Sequence, residues 1–428
     1  MQCKRLSIGL ETVLATFMLT LCATSTYAAT ERVLHSFDNN GTDGYGPHAG
    51  MISDGNGNLY GTTYEGGTGT CASQNQVVGC GAVFELSPNA GGGWTETVLH
   101  SFLNDGKDGT FPYGGLLFDG SGNLFGTTQT GGVFAYGTVF ELMPKAKGVW
   151  KEKVLYSFDA GNGKDAGGPL DGLIFDKAGN LYGTSEFGGV YSFGTVFELT
   201  PKAGGGWKER VLHSFNPNTK DGVAPNGSLV VNSAGNLYGT SLEGGAFGLG
   251  TVFGLTPKAG GGWKEQVIHS FNADGKDGYL PFAGLTLDTA GNLYGATSVG
   301  GNQSGGTAFE LTPKAGGGWK EKILYNFSYT TGSDPFGRLI FDGSGNLYGT
   351  AGVGGAFTFG TVFELTKNVS GKWKEKVLHD FNNDGTDGSD PMAGVIFDAS
   401  GNVYGTTFHG GSSTNCSGGC GSVFEIKP

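Results

Sequence analysis

The 428-residue sequence is poor in charge, in helix-forming stretches and in long apolar runs. Only 15% of its residues are charged, and 38 acidic residues outnumber 26 basic ones, so the net charge is −12. A negative surplus repels a phosphate backbone, which excludes nucleic acid as a partner. The 84 glycines oppose helix formation, because each costs about 1 kcal/mol relative to alanine inside a helix. We therefore do not expect a helical protein.

The one long apolar run lies at the N-terminus. Lys4 and Arg5 precede an apolar stretch from Thr12 to Ala23, and small residues follow up to Ala28. This order is typical of a secretory signal peptide, and a stretch of about 12 residues is too short to cross a bilayer. We expect residues 1–28 to be a cleaved signal peptide, with lipidation at Cys22 as the alternative. Residues 29–428 would then form a single secreted domain, periplasmic or extracellular, with no membrane span.

Cysteine is scarce, and two of the six residues fall in the predicted signal peptide. Four remain, at Cys71, Cys80, Cys416 and Cys420. An even number in an exported chain predicts two disulfides, and the short loops favour pairing 71 with 80 and 416 with 420. A four-cysteine zinc site is the alternative, although neither pair has the C-x₂-C spacing of such sites.

Repetition and aromatic residues are abundant. A Gly-Asn-(Leu/Val)-(Tyr/Phe)-Gly string recurs 54 to 65 residues apart, with its Asn at Asn58, Asn123, Asn180, Asn236, Asn292, Asn346 and Asn402. Each unit holds four short runs rich in Val, Leu, Phe, Tyr and Thr, separated by Gly, Asn, Asp and Pro clusters. Four strands in roughly 57 residues predict one blade of a β-propeller. We number the blades 1 to 7 in the order of these Asn residues.

The two ends of the chain distinguish a closed ring from a solenoid. The first unit begins with an outer strand alone, Glu31–Phe37, whereas the last unit lacks an outer strand and ends at Pro428. We therefore predict an all-β, seven-bladed propeller with four antiparallel strands per blade, in which the N-terminal strand closes the last blade. We expect this propeller to be a monomer.

The repeated unit carries a family resemblance. The string Gly-Asn-Leu-Tyr-Gly-Thr, followed by Gly-Gly and then Gly-Thr-Val-Phe-Glu-Leu, spans Gly345–Leu365. It resembles the GloVer tandem repeat of exported bacterial proteins, and the resemblance extends to all seven units. It implies an extracellular repeat protein without a settled biochemical activity. The Gly-Asn-Leu-Tyr hairpin also looks, more distantly, like that of NHL-type and gluconolactonase-type propellers, but their metal ligands match no motif here.

The mouth of the predicted channel holds the best candidates for ligand binding. The residue after each repeated inner-strand proline should ring this mouth, and it differs from blade to blade: His48, Tyr113, Leu170, Asn226, Phe282, Phe336 and Met392. At the positions that follow these residues, most blades have Ala, Gly or Ser, but blade 3 has Asp171 and blade 6 has Arg338. His409 lies near the mouth in blade 7. Aromatic faces with one acid and one base suit a sugar or a short peptide. The predicted ligand-binding residues are His48, Tyr113, Asp171, Asn226, Phe282, Phe336, Arg338 and His409.

Two repeated residue types are interpreted as structural. Tyr156 and Tyr325 occupy a strand position that is histidine in the other blades, at His35, His100, His213, His269 and His379. A metal ligand or a base would not be interchangeable with tyrosine. The glutamate of the Val-Phe-Glu-Leu string is spread around the ring and cannot form one catalytic pair. A shared metal or acid–base role remains an alternative for His48 and His409.

We expect no cofactor, with calcium bound by the acidic loops between blades as the alternative. Hard cations take carboxylate and carbonyl oxygens, and the blade 7 loop offers Asp384, Asp387 and Asp390. The spacing departs from the known calcium loop, and aspartates that cap turns explain the same composition.

The sequence favours binding over catalysis. It contains no nucleophile elbow, P-loop, dinucleotide fingerprint or HExxH motif. We expect a secreted, non-catalytic binding or scaffold module for an extracellular glycan or protein. The alternative is a carbohydrate-active lyase or hydrolase that uses Arg338, His48 or Asp171, although blades 3 and 6 should lie across the ring from each other.

Overall fold

A computed structural model describes residues 29–73 and 76–428. The predicted signal peptide, residues 1–28, lies outside them. The described residues form a seven-bladed propeller of antiparallel, mostly four-stranded sheets, as predicted. Two short 3₁₀ turns, Ala146–Gly148 and Ala160–Asn162, are its helical elements in this part of the chain. None of the helices in the described residues is long and apolar enough to cross a membrane.

Each blade runs from a short inner strand at the channel to a long outer strand at the rim. Blade 1 consists of Ile52–Ser53, Leu59–Thr63, Ala82–Pro88 and Trp94–Ser101. Blade 2 consists of Leu117–Phe118, Leu124–Thr128, Thr138–Pro144 and Trp150–Ser157. Blade 3 consists of Ile174–Phe175, Leu181–Ser185, Thr195–Pro201 and Trp207–Ser214. Blades 4 and 5 consist of Val230–Val231, Leu237–Gly244, Thr251–Pro257 and Trp263–Ser270; and Thr286–Leu287, Leu293–Thr297, Thr307–Pro313 and Trp319–Asn326. Blades 6 and 7 consist of Ile340–Phe341, Leu347–Ala351, Thr361–Lys367 and Trp373–Asp380; and Ile396–Phe397, Val403–Thr407, Ser422–Lys427 and Thr30–Ser36.

The N-terminal strand closes the ring. Thr30–Ser36 pairs antiparallel with Ser422–Lys427, the third strand of blade 7. The same pairing joins the third and outer strands within each of the other six blades. The first and last segments of the described chain therefore share one sheet.

The mouth face is built from two classes of loop. In blades 1, 2, 3, 5 and 7, the segment before the inner strand pairs with the segment after the second strand and forms a short two-stranded ribbon. These ribbons are Gly44–Tyr45 with Glu65–Gly66, Gly109–Thr110 with Thr130–Gly131, Ala166–Gly167 with Phe187–Gly188, Gly278–Tyr279 with Val299–Gly300, and Gly388–Ser389 with His409–Gly410. In blade 4, Gly222–Pro225 pairs directly with Leu237–Gly244. A separate short hairpin, Ala72–Ser73 with Gln76–Val77, lies in the blade 1 loop.

Two local contacts explain the residues of the repeated Gly-Asn-(Leu/Val)-(Tyr/Phe)-Gly string. At the turn before Asn58, Asp54 accepts the backbone N–H of Asn58 at 2.9 Å through Oδ1 and its side-chain amide at 2.9 Å through Oδ2, which closes the inner hairpin. The last glycine of the string faces a phenylalanine of the third strand. A Cβ on Gly183 would lie 2.6 Å from the ring of Phe197, so only glycine fits there.

Seven small cores lie between neighbouring blades rather than one in the middle. The core between blades 1 and 2, for example, contains Phe102 and Phe140, whose ring centroids are 5.1 Å apart. Equivalent clusters fill the other six blade interfaces, including the one between blades 7 and 1. Repeating one small core lets a long chain bury its apolar residues without a single large interior.

Both predicted disulfides are present. Cys71 is bonded to Cys80, with Cα atoms 5.0 Å apart, and Cys416 to Cys420, with Cα atoms 5.2 Å apart. They lie in the loops after the second strand of blades 1 and 7, where the other blades have short glycine-rich loops. The zinc alternative is therefore wrong.

Candidate functional site

A cavity of about 610 Å³ opens at the mouth of the channel. The seven mouth positions named from the sequence all line it: His48, Tyr113, Leu170, Asn226, Phe282, Phe336 and Met392. Apolar inner-strand residues, among them Ile52, Ile174 and Ile396, line it further in. Each blade thus contributes a variable side chain at the mouth, and blades 1, 2, 3, 6 and 7 also contribute an inner-strand Ile or Leu.

Polar side chains occupy one part of the wall. Asp171, Asn226, Ser228 and Arg338, here called the polar arc, come from blades 3, 4 and 6. Blades 7, 1 and 2 have only alanine or glycine at the positions of Asp171, Ser228 and Arg338. The cavity wall is therefore polar on one side.

Each carboxylate oxygen of Asp171 accepts a hydrogen bond from a backbone N–H group. Its Oδ1 accepts the backbone N–H of Gly172 at 2.6 Å, and its Oδ2 accepts that of Ser228 at 2.6 Å. Burial raises the pKa of Asp171, and the two backbone bonds and the charge of Arg338 oppose that rise. The carboxylate thus ties blade 3 to blade 4.

Arg338 is anchored from the neighbouring blade. Its Nε donates to Thr286 Oγ1 of blade 5 at 3.1 Å, and the Thr286 hydroxyl donates to the carbonyl of Leu339. Burial lowers the pKa of Arg338, while the charge of Asp171 raises it. Asp171 and Arg338 belong to blades on different sides of the ring, as expected, but both line one cavity and their charges interact.

The opposite part of the wall is aromatic. His48 stacks on Tyr113 with ring centroids 4.1 Å apart, and Phe408 lies 4.8 Å from the same imidazole. Burial, and to a lesser degree the charge of His409, lowers the pKa of His48 to about 4. His48 is therefore a neutral aromatic surface at neutral pH. A second aromatic pair, Phe282 and Phe336, comes from blades 5 and 6, lines the same cavity as Arg338 and meets edge to face at 5.0 Å.

His409 does not line the cavity. Its Nδ1 pairs with Asp390 at 2.8 Å, and its ring packs against Phe408 at 4.5 Å. It supports the aromatic side of the wall from behind. A metal shared with His48 has no support from these contacts.

The family follows from the repeats. The sequence matches the family model described as the Gloeobacter/Verrucomicrobia repeat over residues 17–173, 69–288 and 169–424. The chain belongs to the Gloeobacter/Verrucomicrobia repeat family. This confirms the resemblance that the repeated string carried. No curated protein sequence matches the chain.

The comparison with solved structures finds matches to this family member at low identity. A protein of unknown function from Dyadobacter fermentans is 11% identical, with 93% of this chain and 98% of that chain covered and a TM-score of 0.47. A luciferin-regenerating enzyme is 13% identical, with 94% and 95% covered and a TM-score of 0.43. A puromycin-hydrolyzing peptidase from Mycobacterium tuberculosis is 9% identical, with 85% and 52% covered and a TM-score of 0.47. These likenesses carry no argument about activity.

An exposed set of aromatic residues on the mouth face was not predicted from the sequence. We call it the aromatic collar; its side chains are 40–61% exposed and belong to loops of blades 2, 3, 4 and 6: Phe134, Tyr136, Tyr191, Phe193, Phe247 and Phe357. Ala135 and Ser192 stand in the left-handed region in these loops, with φ of 64° and 62°. Aromatic residues in a glycine-rich turn, where polar residues are usual, were the signal that could have revealed the collar.

The repeated histidines are structural, as predicted. Five of them pair with an aspartate of the next blade-joining loop at 2.8–3.2 Å: His35 with Asp43, His100 with Asp108, His213 with Asp221, His269 with Asp277 and His379 with Asp387. Tyr156 donates to Asp165 in the same way at 2.8 Å. Tyrosine replaces histidine there because either ring can donate to the carboxylate.

A ring of seven glutamates, one on each outer strand, faces these pairs. In each, Oε1 is buried and has no hydrogen-bond partner within the described residues: Glu31, Glu96, Glu152, Glu209, Glu265, Glu321 and Glu375. Burial raises the pKa of Glu265 to about 7 and that of Glu209 to about 8. We call these residues the glutamate ring; they were missed because their repetition alone does not reveal burial.

The mixed His, Asp and Glu groups are the candidate metal ligands. In three of them the possible ligand atoms lie within 4.8 Å of one another: Glu31, His379 and Asp387; His213, Asp221 and Glu265; and His269, Asp277 and Glu321. Each imidazole already pairs with its aspartate, which accounts for the groups without an ion.

The predicted calcium ligands do not come together as one such group in the described chain. Asp387 pairs with His379, Asp384 caps its own loop by accepting the N–H of Thr386 at 2.9 Å, and Asp390 pairs with His409. Calcium at Asp384, Asp387 and Asp390 stays a prediction.

Proposed function

We propose that this propeller is an exported, non-catalytic binding module that holds one sugar residue of an extracellular glycan in the cavity at the channel mouth. The carrying observation is that aromatic faces and the polar arc line one cavity. A pyranose ring has an apolar face that packs on aromatic rings and hydroxyl edges that need donors and acceptors. His48 and Tyr113 offer the faces, and Asn226 and Ser228 offer polar groups.

The aromatic collar supports a ligand longer than one residue. It is exposed on the face where the cavity opens, so a chain whose end occupies the cavity would pass over its rings. Exposed apolar groups clustered on one face are typical of interaction sites. A flat protein partner would use the collar without entering the cavity.

The chemistry of the cavity supports binding rather than hydrolysis. Glycosidases act with two carboxyl groups that flank the scissile bond. Among the described residues that line this cavity, Asp171 carries the single carboxyl group, and both its oxygens accept backbone N–H groups.

The two disulfides support export, because such bonds form and persist in oxidising compartments. We propose that residues 1–28 are removed on export. Expression of the full chain, fractionation of the cells and N-terminal sequencing of the product test this. An exported product that begins at Ala29 is expected, and an intact N-terminus in the cytoplasm would contradict it.

The binding proposal is tested with a polysaccharide panel. The exported protein, residues 29–428, is assayed for retention with calcium or with EDTA, and the supernatant is assayed for released sugars. We expect retention without products, and at least about tenfold weaker retention for Tyr113→Ala. Val369→Ser, at an exposed hairpin residue away from the mouth, is the matched control and should bind like the parent.

Each other outcome has a definite meaning. Released sugars would overturn the non-catalytic assignment, and loss of retention in EDTA would support calcium in the acidic loops. Retention unaffected by Tyr113→Ala would overturn the cavity as the site. No retention on any glycan would overturn the proposal and point to a protein partner.

A further inference from the structure

We propose that the sugar residue held in the cavity carries a carboxylate, as in a uronic acid, and that the guanidinium of Arg338 binds this group. The inference rests on the proposed function and names its ligand class. It is carried by an arginine that lines a cavity and whose terminal nitrogens donate to no protein atom of the described residues.

Arg338 breaks the repeat at its position. The equivalent residues in the other blades are Gly50, Gly115, Gly172, Ser228, Gly284 and Gly394. A Cβ at Gly394 would lie 2.8 Å from the carbonyl oxygen of Arg338, so the neighbouring backbone leaves little room on that side. The long side chain instead reaches Thr286 of blade 5 and the cavity.

The hydrogen-bonding capacity of Arg338 is mostly unused. Its Nε donates to Thr286, and within the described chain neither terminal nitrogen donates to a protein atom. No ion pair joins it to a carboxylate among these residues, and Asp171 uses both its oxygens on backbone N–H groups. The guanidinium therefore keeps a planar pair of donors for a ligand, and a carboxylate accepts two parallel N–H groups in that geometry.

The charges of the cavity favour a monoanion over a dianion. Arg338 is its one cationic side chain among the described lining residues, Asp171 is its one anionic side chain, and His48 is neutral. Because Arg338 and Asp171 balance each other, a bound carboxylate adds one net negative charge, whereas a dianionic phosphate would add two next to Asp171. The edge-to-face pair of Phe282 and Phe336 lines the same cavity as Arg338 and offers an apolar surface for the rest of the sugar ring.

The test compares ligands that differ only in the carboxyl group. The exported protein is titrated calorimetrically with a uronic acid trisaccharide, with its methyl ester, and with the neutral trisaccharide in which each carboxyl is reduced to an alcohol. We expect the acid to bind about 10- to 100-fold more tightly than the ester or the alcohol. This comparison uses the parent protein alone and does not depend on a variant that folds.

Two variants then locate the effect. Arg338→Gln should lose the preference for the acid, and Arg338→Lys should keep part of it, because lysine keeps the charge but not the planar pair of donors. Lys320→Gln, at an exposed residue of an outer strand, is the matched control and should keep the full preference. Thermal unfolding confirms that each variant is folded.

The outcomes separate this inference from the proposed function. Equal binding of acid, ester and alcohol would overturn the carboxylate and leave glycan binding standing. A preference that persists in Arg338→Gln would overturn the role of Arg338. Binding of no saccharide, or of a peptide carboxylate alone, would overturn both proposals.

Discussion

At the scale of single residues, the propeller is stabilised by glycines at positions where a larger residue would overpack the core. The glycine in the middle of each second strand lies against a buried phenylalanine ring of the third strand, as Gly183 does against Phe197. This contact lets the two strands pack tightly enough for Phe197 to be fully buried. Packing, rather than ligand binding, therefore explains why this glycine is repeated.

Gly183→Ala should lower the free energy of unfolding by about 1–3 kcal/mol, because the added methyl overpacks the core. The new Cβ would lie 2.6 Å from Phe197 and 2.9 Å from Leu173. Denaturant unfolding measures the change. Gly343→Ala is the control, since a Cβ there meets nothing within 4 Å. Equal stability of both variants would contradict the packing argument.

A second prediction at this scale concerns pH. Burial, together with the charge of Asp165, raises the pKa of Glu209 to about 8, above the unfolded value of 4.5. The protonated form is therefore favoured in the fold, so its stabilising contribution is complete below pH 4.5 and is lost as the pH rises towards 8. Other members of the glutamate ring, such as Glu96 with a pKa raised by burial to about 7, act in the same direction.

Glu209→Gln, which mimics the protonated carboxyl, should raise the melting temperature by about 1–3 °C at pH 8.5 and leave it unchanged at pH 4.5. Thermal scans at the two pH values measure this difference. Glu243→Gln, at an exposed glutamate, is the control and should change neither value. A gain at pH 4.5, or none at pH 8.5, would contradict burial of the glutamate ring.

Residues that differ from blade to blade at one repeated position could be identified from the sequence, whereas their hydrogen-bond partners could not. The seven mouth residues could be predicted because the proline before each of them marks the register of the inner strand. The bonds of Asp171 to Ser228 and of Arg338 to Thr286 could not, because each crosses from one blade to another. His409 lies in the mouth-face ribbon, as its sequence position predicts, but its bond to Asp390 could not be predicted.

At the scale of elements, a repeated threonine joins six of the seven blades to the next. Thr240 donates to the carbonyl of Ala283 at 3.0 Å, and Thr350 to that of Ala393 at 2.7 Å. Blade 5 has Ala296 at this position, and there Thr286 bonds to the carbonyl of Leu339 instead. The interface that holds Arg338 thus departs from the other blades, which fits a specialised function at this point in the ring.

Thr240→Val should lower the free energy of unfolding by about 1–2 kcal/mol, because the buried carbonyl of Ala283 loses its donor while the shape of the side chain is kept. Thr95→Val, at an exposed outer-strand residue, is the control. Denaturant midpoints of the two variants give the difference. A loss as large in Thr95→Val would show that β-branching, rather than the bond between blades, causes the effect.

At the scale of the whole molecule, closure of the ring should dominate stability. The strand Thr30–Ser36 covers the edge of Ser422–Lys427, and Phe37 is fully buried between blades 7 and 1. Both the blade count and this closure were predictable from the sequence, because the repeats begin and end at different points in the four-strand unit. The ligand was not predictable, because its site combines single departures from the repeat in several blades.

Deletion of residues 29–37 should expose the edge of blade 7 and cause aggregation or a large drop in melting temperature. A circular permutant that begins at Asp38 and carries residues 29–37 after Pro428, joined by a copy of the Lys258–Gly262 turn, should melt close to the parent. Light scattering and thermal scans compare the three proteins. A deletion variant that melts like the parent would contradict closure by this strand.

The central claim is that the cavity at the channel mouth binds a sugar residue. The most direct measurement is a crystal structure of residues 29–428 with an oligosaccharide retained in the panel. The account predicts electron density for one sugar ring packed on Tyr113 and His48, with polar atoms within hydrogen-bond distance of the polar arc. Density confined to the aromatic collar or to the opposite face, with no sugar in the cavity, would contradict it.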